Sequence, residues 1–168
     1  MRYGVKWEMS FNRHKRNLSR KELIMVKSEL SVTIDVPPEK VFARISEPMN
    51  AMEDIPNVIE VKDITGQGAG MSYKLVYKMT GIRRSLDCTF VEYTPNERIT
   101  IQTKGAMNGT QTYEVKPLDT GSQLLVTAEY EIPIPLVGKI EALLKKHRER
   151  DWQAILDNLK ARLETEAV

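Results

Sequence analysis

His147 and Asp151 stand four residues apart in an unbroken helical pattern, a spacing that places both on one face. An imidazole oriented by a carboxylate can work as an acid–base pair. The bland reading is equally simple. Such spacing is common on any helix, and Arg148, Glu149 and Arg150 beside the pair read as a solvated charge run. Tyr73, Tyr77 and Tyr113 add phenols that could donate protons. Cys88, the only thiol, has no partner evident in the sequence and reads first as a small core residue. Two histidines, His14 and His147, are too few for a multi-histidine metal site, and Asp54, Glu60 and Asp63 lack the spacing of a metal loop. Gly66-Gln67-Gly68-Ala69-Gly70 follows a strand but leads into another strand, which excludes a dinucleotide-binding turn.

The elements that would position these groups are written in the hydrophobic pattern. No Gly or Pro interrupts the chain after Gly138, so Lys139 to Glu164 is predicted as one helix of roughly 39 Å. With successive residues about 100° apart, Leu143, Leu144, His147, Asp151, Ala154 and Ile155 cluster around Ile140, whereas Trp152, Leu156, Leu159 and Leu163 centre about 130° away. The two halves therefore face different surfaces, with His147 and Asp151 on the inner face of the first or at its exposed edge.

Ahead of this helix the period is two. Leu30, Val32, Ile34 and Val36 alternate with Glu29, Ser31, Thr33 and Asp35, the mark of a half-buried strand from Val26 to Val36. Pro38 then suits a first helical turn, Val41, Phe42 and Ile45 are spaced for burial, and Glu47-Pro48 ends that helix. Met49 to Ile55 predicts a second short helix. Six strands follow, at 58–65, 71–79, 83–93, 98–104, 109–117 and 123–132, separated by Gly-, Pro- and Asn-rich turns. Short local connections make them antiparallel. The expected fold is α+β: a seven-stranded antiparallel sheet wrapped around a long C-terminal helix, with two short helices between strands 1 and 2.

Composition bounds the class. A chain of 168 residues, 41% hydrophobic and 29% charged, fits one soluble domain. No apolar run approaches a membrane span of about 18–20 residues. A single cysteine excludes an intrachain disulfide and points to a reducing, cytoplasmic setting. The net charge of +2 hides an asymmetry: residues 1–25 carry +5 and the remainder −3. A mildly acidic body argues against a specific nucleic-acid partner. Residues 1–25 show no sustained periodicity. Their basic clusters, Arg13-His14-Lys15-Arg16 and Arg20-Lys21, could dock on RNA or make transient contact with an anionic membrane surface. The plainer expectation is a disordered extension before a single domain at 26–168, with Met25 as the natural first residue.

Three segments carry a resemblance: Ser31-Val32-Thr33-Ile34-Asp35-Val36-Pro37-Pro38-Glu39-Lys40-Val41-Phe42, Asn57-Val58-Ile59-Glu60-Val61, and Tyr130-Glu131-Ile132-Pro133-Ile134-Pro135-Leu136-Val137-Gly138. Together they resemble the opening strand and helix start, the second strand, and the approach to the last helix in the START-like, helix-grip (SRPBCC) superfamily. The match is strongest to its polyketide cyclase/dehydrase and coenzyme Q-binding group and spans about residues 27–165. The resemblance implies an elongated apolar cavity between sheet and C-terminal helix. Its inward lining would be Tyr73, Leu75, Tyr77, Met79, Leu86, Cys88, Phe90, Tyr113, Tyr130, Ile140, Leu144 and His147. No catalytic signature is shared across that superfamily, so the resemblance speaks to cavity more than to reaction.

Three functions are consistent with these features. The first is binding or transport of a hydrophobic small molecule such as a lipid, isoprenoid quinone or polyketide, with no cofactor. The second is a cyclase or dehydratase working in the same cavity, with His147 and Asp151 as candidate catalytic residues. The third is a protein- or ribosome-interaction module. An interior filled solidly by those same side chains is the bland alternative to a cavity.

Overall fold

The computed structural model describes residues 6–10, 23–79 and 81–166, with side chains described over 25–78, 81–131 and 150–166. In chain order the elements are β1 (Lys6–Ser10), β2 (Leu23–Ile34), α1 (Pro38–Ser46), a 3₁₀ turn (Pro48–Asn50), α2 (Ala51–Asp54), β3 (Val58–Thr65), β4 (Ser72–Met79), β5 (Ile82–Thr94), β6 (Arg98–Gly105), β7 (Gly109–Pro117), β8 (Ser122–Pro133) and α3 (Ile134–Glu166). The strands form one antiparallel sheet in the order β1-β2-β8-β7-β6-β5-β4-β3. The expected seven-stranded helix-grip sheet is present as β2 to β8, with the two short helices between its first two strands.

Two sequence expectations are corrected. Residues 1–25, read as unstructured, contribute β1 and the first residues of β2. β2 pairs with β8 along its whole length, from Leu23 opposite Pro133 to Ile34 opposite Ser122. Its other edge would leave a row of N–H and C=O groups without partners, and β1 takes up that edge from Lys6–Glu29 to Ser10–Met25. Residues 1–5 and 11–22 lie outside the described residues. The second correction concerns α3, which starts at Ile134 rather than Lys139. Pro135 stands in the first turn, where its missing N–H is one of the four that no helix satisfies internally.

The core lies between the concave face of the sheet and the helices. Leu30, Val32 and Ile34 of β2, Leu124 and Val126 of β8, and Ile99 of β6 point inward and are buried. Against them pack Val41 and Phe42 of α1 and Trp152, Leu156, Leu159 and Leu163 of α3. Each such side chain contributes roughly 1.5–3 kcal/mol when fully buried. A bulge in β5 between Phe90 and Glu92 inserts one residue, so that Phe90 and Tyr93 both reach the interior although they are three apart. Their rings stack at 6.2 Å, and Tyr93 meets Phe42 edge-on at 5.3 Å.

The C-terminal half of α3 is moored by polar contacts as well. Lys160 Nζ donates to the Thr33 carbonyl at 2.6 Å, and the Asp35 N–H donates to Glu164 Oε1 at 2.9 Å. Below them Arg44 and Asp54 form a buried ion pair, with Arg44 Nη2 donating to Asp54 Oδ1 at 2.7 Å and Nε to Oδ2 at 3.0 Å. Glu53 and Glu166 take further Arg44 hydrogens, each at 3.0 Å. Asp54, whose spacing from Glu60 and Asp63 does not make a metal loop, is thus a structural anion that ties α1, α2 and α3 together.

Candidate functional site

Side chains alternate along each strand, so the register decides what shares the concave surface. One row crosses it from Ser28 through Ala128, Gln111 and Ile101 to Phe90. The adjacent row runs from Val26 through Tyr130, Gly109, Thr103 and Cys88 to Tyr73. Every position in both rows is uncharged. The polar groups among them are therefore neutral and stand in apolar surroundings.

Several of these groups are joined. Tyr113 Oη donates to Gln111 Oε1 at 2.9 Å, and Gln111 Nε2 donates to Tyr130 Oη at 2.5 Å. Thr103 Oγ1 donates to the Gly109 carbonyl at 3.4 Å. Gly109 lets the Tyr130 ring lie against the sheet: a Cβ there would fall 2.5 Å from that ring and overlap the Glu129 carbonyl oxygen. Across the sheet Tyr73 stands opposite Cys88 and meets Phe90 edge-on at 6.1 Å. Burial, reinforced by the neighbouring Cys88 and Tyr113, pushes the Tyr73 phenol well up. Burial does the same to Tyr113. Both phenols stay protonated at neutral pH, so they serve as hydrogen-bond donors rather than bases.

Of the sequence-predicted lining, the structure brings together Tyr73, Leu75, Leu86, Cys88, Phe90 and Tyr130 as buried groups, with Tyr77 and Tyr113 half-buried. Asp151 is exposed, because Trp152 beside it takes the inward direction. The side chains of Met79, Ile140, Leu144 and His147 lie outside the described residues. Ser28, Thr103 and Gln111 also lie in these rows, and the sequence-predicted lining did not include them. Gln111 shares a face with Tyr113 and Val115 in the alternation, and that was the signal available for it.

Burial pushes the Cys88 thiol up to about 11. At pH 8 its thiolate fraction then falls roughly 100-fold below that of an ordinary thiol. Iodoacetamide is therefore expected to alkylate the native protein at least about 100-fold more slowly than the urea-unfolded chain. Mass-detected labelling at nearly equal rates would show that the thiol is not shielded.

A shallow groove of about 440 Å³ lies at β6, β7 and β8, lined mostly by residues of the opposite alternation such as Gln102, Lys104, Thr110 and Glu129, and touching Thr103 and Gly109 of the concave row. Among the described residues there is no cluster of acidic, histidine or cysteine side chains that could hold a metal ion, and no helix long and apolar enough to cross a membrane.

Comparison with known proteins agrees with this architecture. Among solved structures, the Zhui aromatase/cyclase from Streptomyces superposes with a TM-score of 0.72 at 17% identity, over 86% of this chain and 96% of that one. The di-domain ARO/CYC StfQ from the steffimycin biosynthetic pathway also gives 0.72, at 13% identity, over 85% of this chain and 52% of its own. Protein CV1439 from Chromobacterium violaceum gives 0.63 at 23% identity, over 82% and 97%. Identities this low speak to the fold alone. No curated protein matches the sequence. The family model described as polyketide cyclase / dehydrase and lipid transport matches residues 25–164, from the start of β2 to the last turns of α3, and the chain belongs to that family.

Proposed function

We propose that this protein binds or carries a hydrophobic small molecule, of the lipid, isoprenoid quinone or polyketide type, between the concave face of the sheet and α3. The observation that carries the reading is the concave surface itself. It is apolar, uncharged along two full rows, and set with a few hydrogen-bonding groups gathered at Gln111, Tyr113 and Tyr130. Sites for small apolar molecules have this makeup, a hydrophobic lining with a few placed polar groups. The buried thiol suits a reducing compartment, and the cytoplasm is the location we assign.

Catalysis is the second reading, supported by the family's cyclase and dehydrase members. Neutral phenols at Tyr73 and Tyr113 would orient a polyketone chain and donate hydrogen bonds to it, and His147 would serve as base. Turnover of a candidate polyketone that disappears in His147→Ala, with the fold intact, would favour this reading over simple carriage.

Native mass spectrometry of freshly purified protein, followed by solvent extraction, tests the cavity directly. A discrete mass adduct that yields a hydrophobic molecule is the expected result. A clean apo mass, together with no binding of an environment-sensitive apolar dye, would sink the reading in favour of a packed interior.

A further inference from the structure

Ser28 is 1% exposed, yet its hydroxyl has no hydrogen-bond partner, the one such buried side-chain oxygen or nitrogen among the described residues. Its described neighbours explain why. Along β2, Val26 and Leu30 share its face and offer nothing polar. Across the two strand pairs it meets Ala128 of β8, a methyl group, and Trp7 of β1, whose side chain lies outside the described residues. Gln111, the next residue in that row, lies two strands away, about 10 Å, and both ends of its amide are already engaged, by Tyr113 and Tyr130. Leaving a buried donor unmade is costly, so such a group calls for an explanation.

We propose that Ser28 is the anchoring donor for the polar end of the bound molecule, and that this end is an uncharged carbonyl oxygen. The inference rests on the cavity reading above and narrows it. A hydroxyl with an unused hydrogen needs an acceptor. A carboxylate would be a poor one, because the two rows around Ser28 hold no cation, and burying an unpaired charge is far more costly than burying a neutral oxygen. Among the described residues, the other cations on this side are spoken for or remote: Arg44 is held by Asp54, Glu53 and Glu166, and Arg84, opposite Tyr77, is exposed at the sheet's end. A ketone fits both conditions, accepting from Ser28 while its apolar body lies along the Ala128, Ile101 and Phe90 surface.

The test uses three probes of one shape: 2-acetylnaphthalene, its hydrocarbon isostere 2-isopropenylnaphthalene, and the anion 2-naphthoate. Affinities are measured on the full chain and on Ser28→Ala by fluorescence titration. The wild type is expected to prefer the ketone over the hydrocarbon by about 3–10-fold, the worth of one net hydrogen bond, and to bind the naphthoate weakest. Ser28→Ala should erase the ketone preference and leave the hydrocarbon affinity in place. Its thermal midpoint should stay level or rise, since the substitution removes an unsatisfied group. A ketone-to-hydrocarbon ratio unchanged in Ser28→Ala overturns the anchor while the cavity stands, and so does naphthoate binding tighter than ketone. Failure of the folded wild type to bind any of the three overturns the cavity and the anchor together.

Discussion

Asp54→Ala is expected to lower the unfolding free energy by about 3–5 kcal/mol, the usual consequence of removing one partner from a buried ion pair. The magnitude comes from what is left behind. Arg44 is 8% exposed, and Asp54 accepts from both Nε and Nη2 of its guanidinium. Hydrogen bonds with Asp54 lead the effects that raise the Arg44 pKa, so the charge persists at every accessible pH. Without Asp54, a fixed charge remains in a site built to neutralise it. Glu53 and Glu166 also touch Arg44, but their side chains are 52% and 62% exposed. Solvent screens pairs of that kind, and Glu53→Ala or Glu166→Ala should each cost under about 1 kcal/mol. Urea denaturation of the three variants checks the ordering. The double variant Arg44→Met/Asp54→Leu, which removes both charges, should recover most of the loss. A single-variant cost below about 1 kcal/mol for Asp54→Ala would mean that water reaches the pair and that it does not hold α3 to α1 and α2.

That ion pair marks where sequence reading stops. The strands were legible because one face is buried: Leu30, Val32 and Ile34 alternate with polar residues, and the register follows from which set must face the core. The resemblance at Ser31 to Phe42 pointed to the same topology, and Trp152, Leu156, Leu159 and Leu163 emerged on one helical face. Arg44 and Asp54 carry no such mark, since a buried charge looks like any surface charge until its partner, ten residues away, is placed. Ser28 escaped for a related reason. It continues the inward set of β2 by parity, but a serine at the end of an apolar stripe reads as its edge. β1 was missed because a short strand on an exposed edge needs no long apolar run, only a neighbour with free backbone groups. Asp151 shows how one spacing leaves two readings open, the inner face of the first half of α3 or its exposed edge; it is exposed, because the inward direction has turned to Trp152 at that point.

Gly109→Ala is expected to cost about 3 kcal/mol, the upper part of the range for forcing extra volume into a packed site. The obstacle is space rather than backbone angle, because Gly109 does not have the positive φ found at Gly66, Gly68 or Gly70. The new methyl would overlap the Glu129 carbonyl oxygen and meet the Tyr130 ring at 2.5 Å. A ring can turn away, but a backbone oxygen inside the β7–β8 ladder can retreat only by parting the strands. Gly109→Ala/Tyr130→Leu should therefore regain part of the loss and not all of it. At Gly70 nothing lies within 4 Å of the same methyl, and its φ of +87° alone should hold the cost of Gly70→Ala to about 1–2 kcal/mol. Thermal and urea unfolding of the three variants measures the difference. The consequence for the site is separable from stability. Displacing the Tyr130 ring breaks its hydrogen bond with Gln111 and reshapes the concave surface beside Ser28, so probe affinity should fall even under conditions where Gly109→Ala is fully folded. Equal costs at Gly109 and Gly70 would show that β7 and β8 have slack there, and Tyr130 would then not be held against the sheet by the absence of a side chain at residue 109.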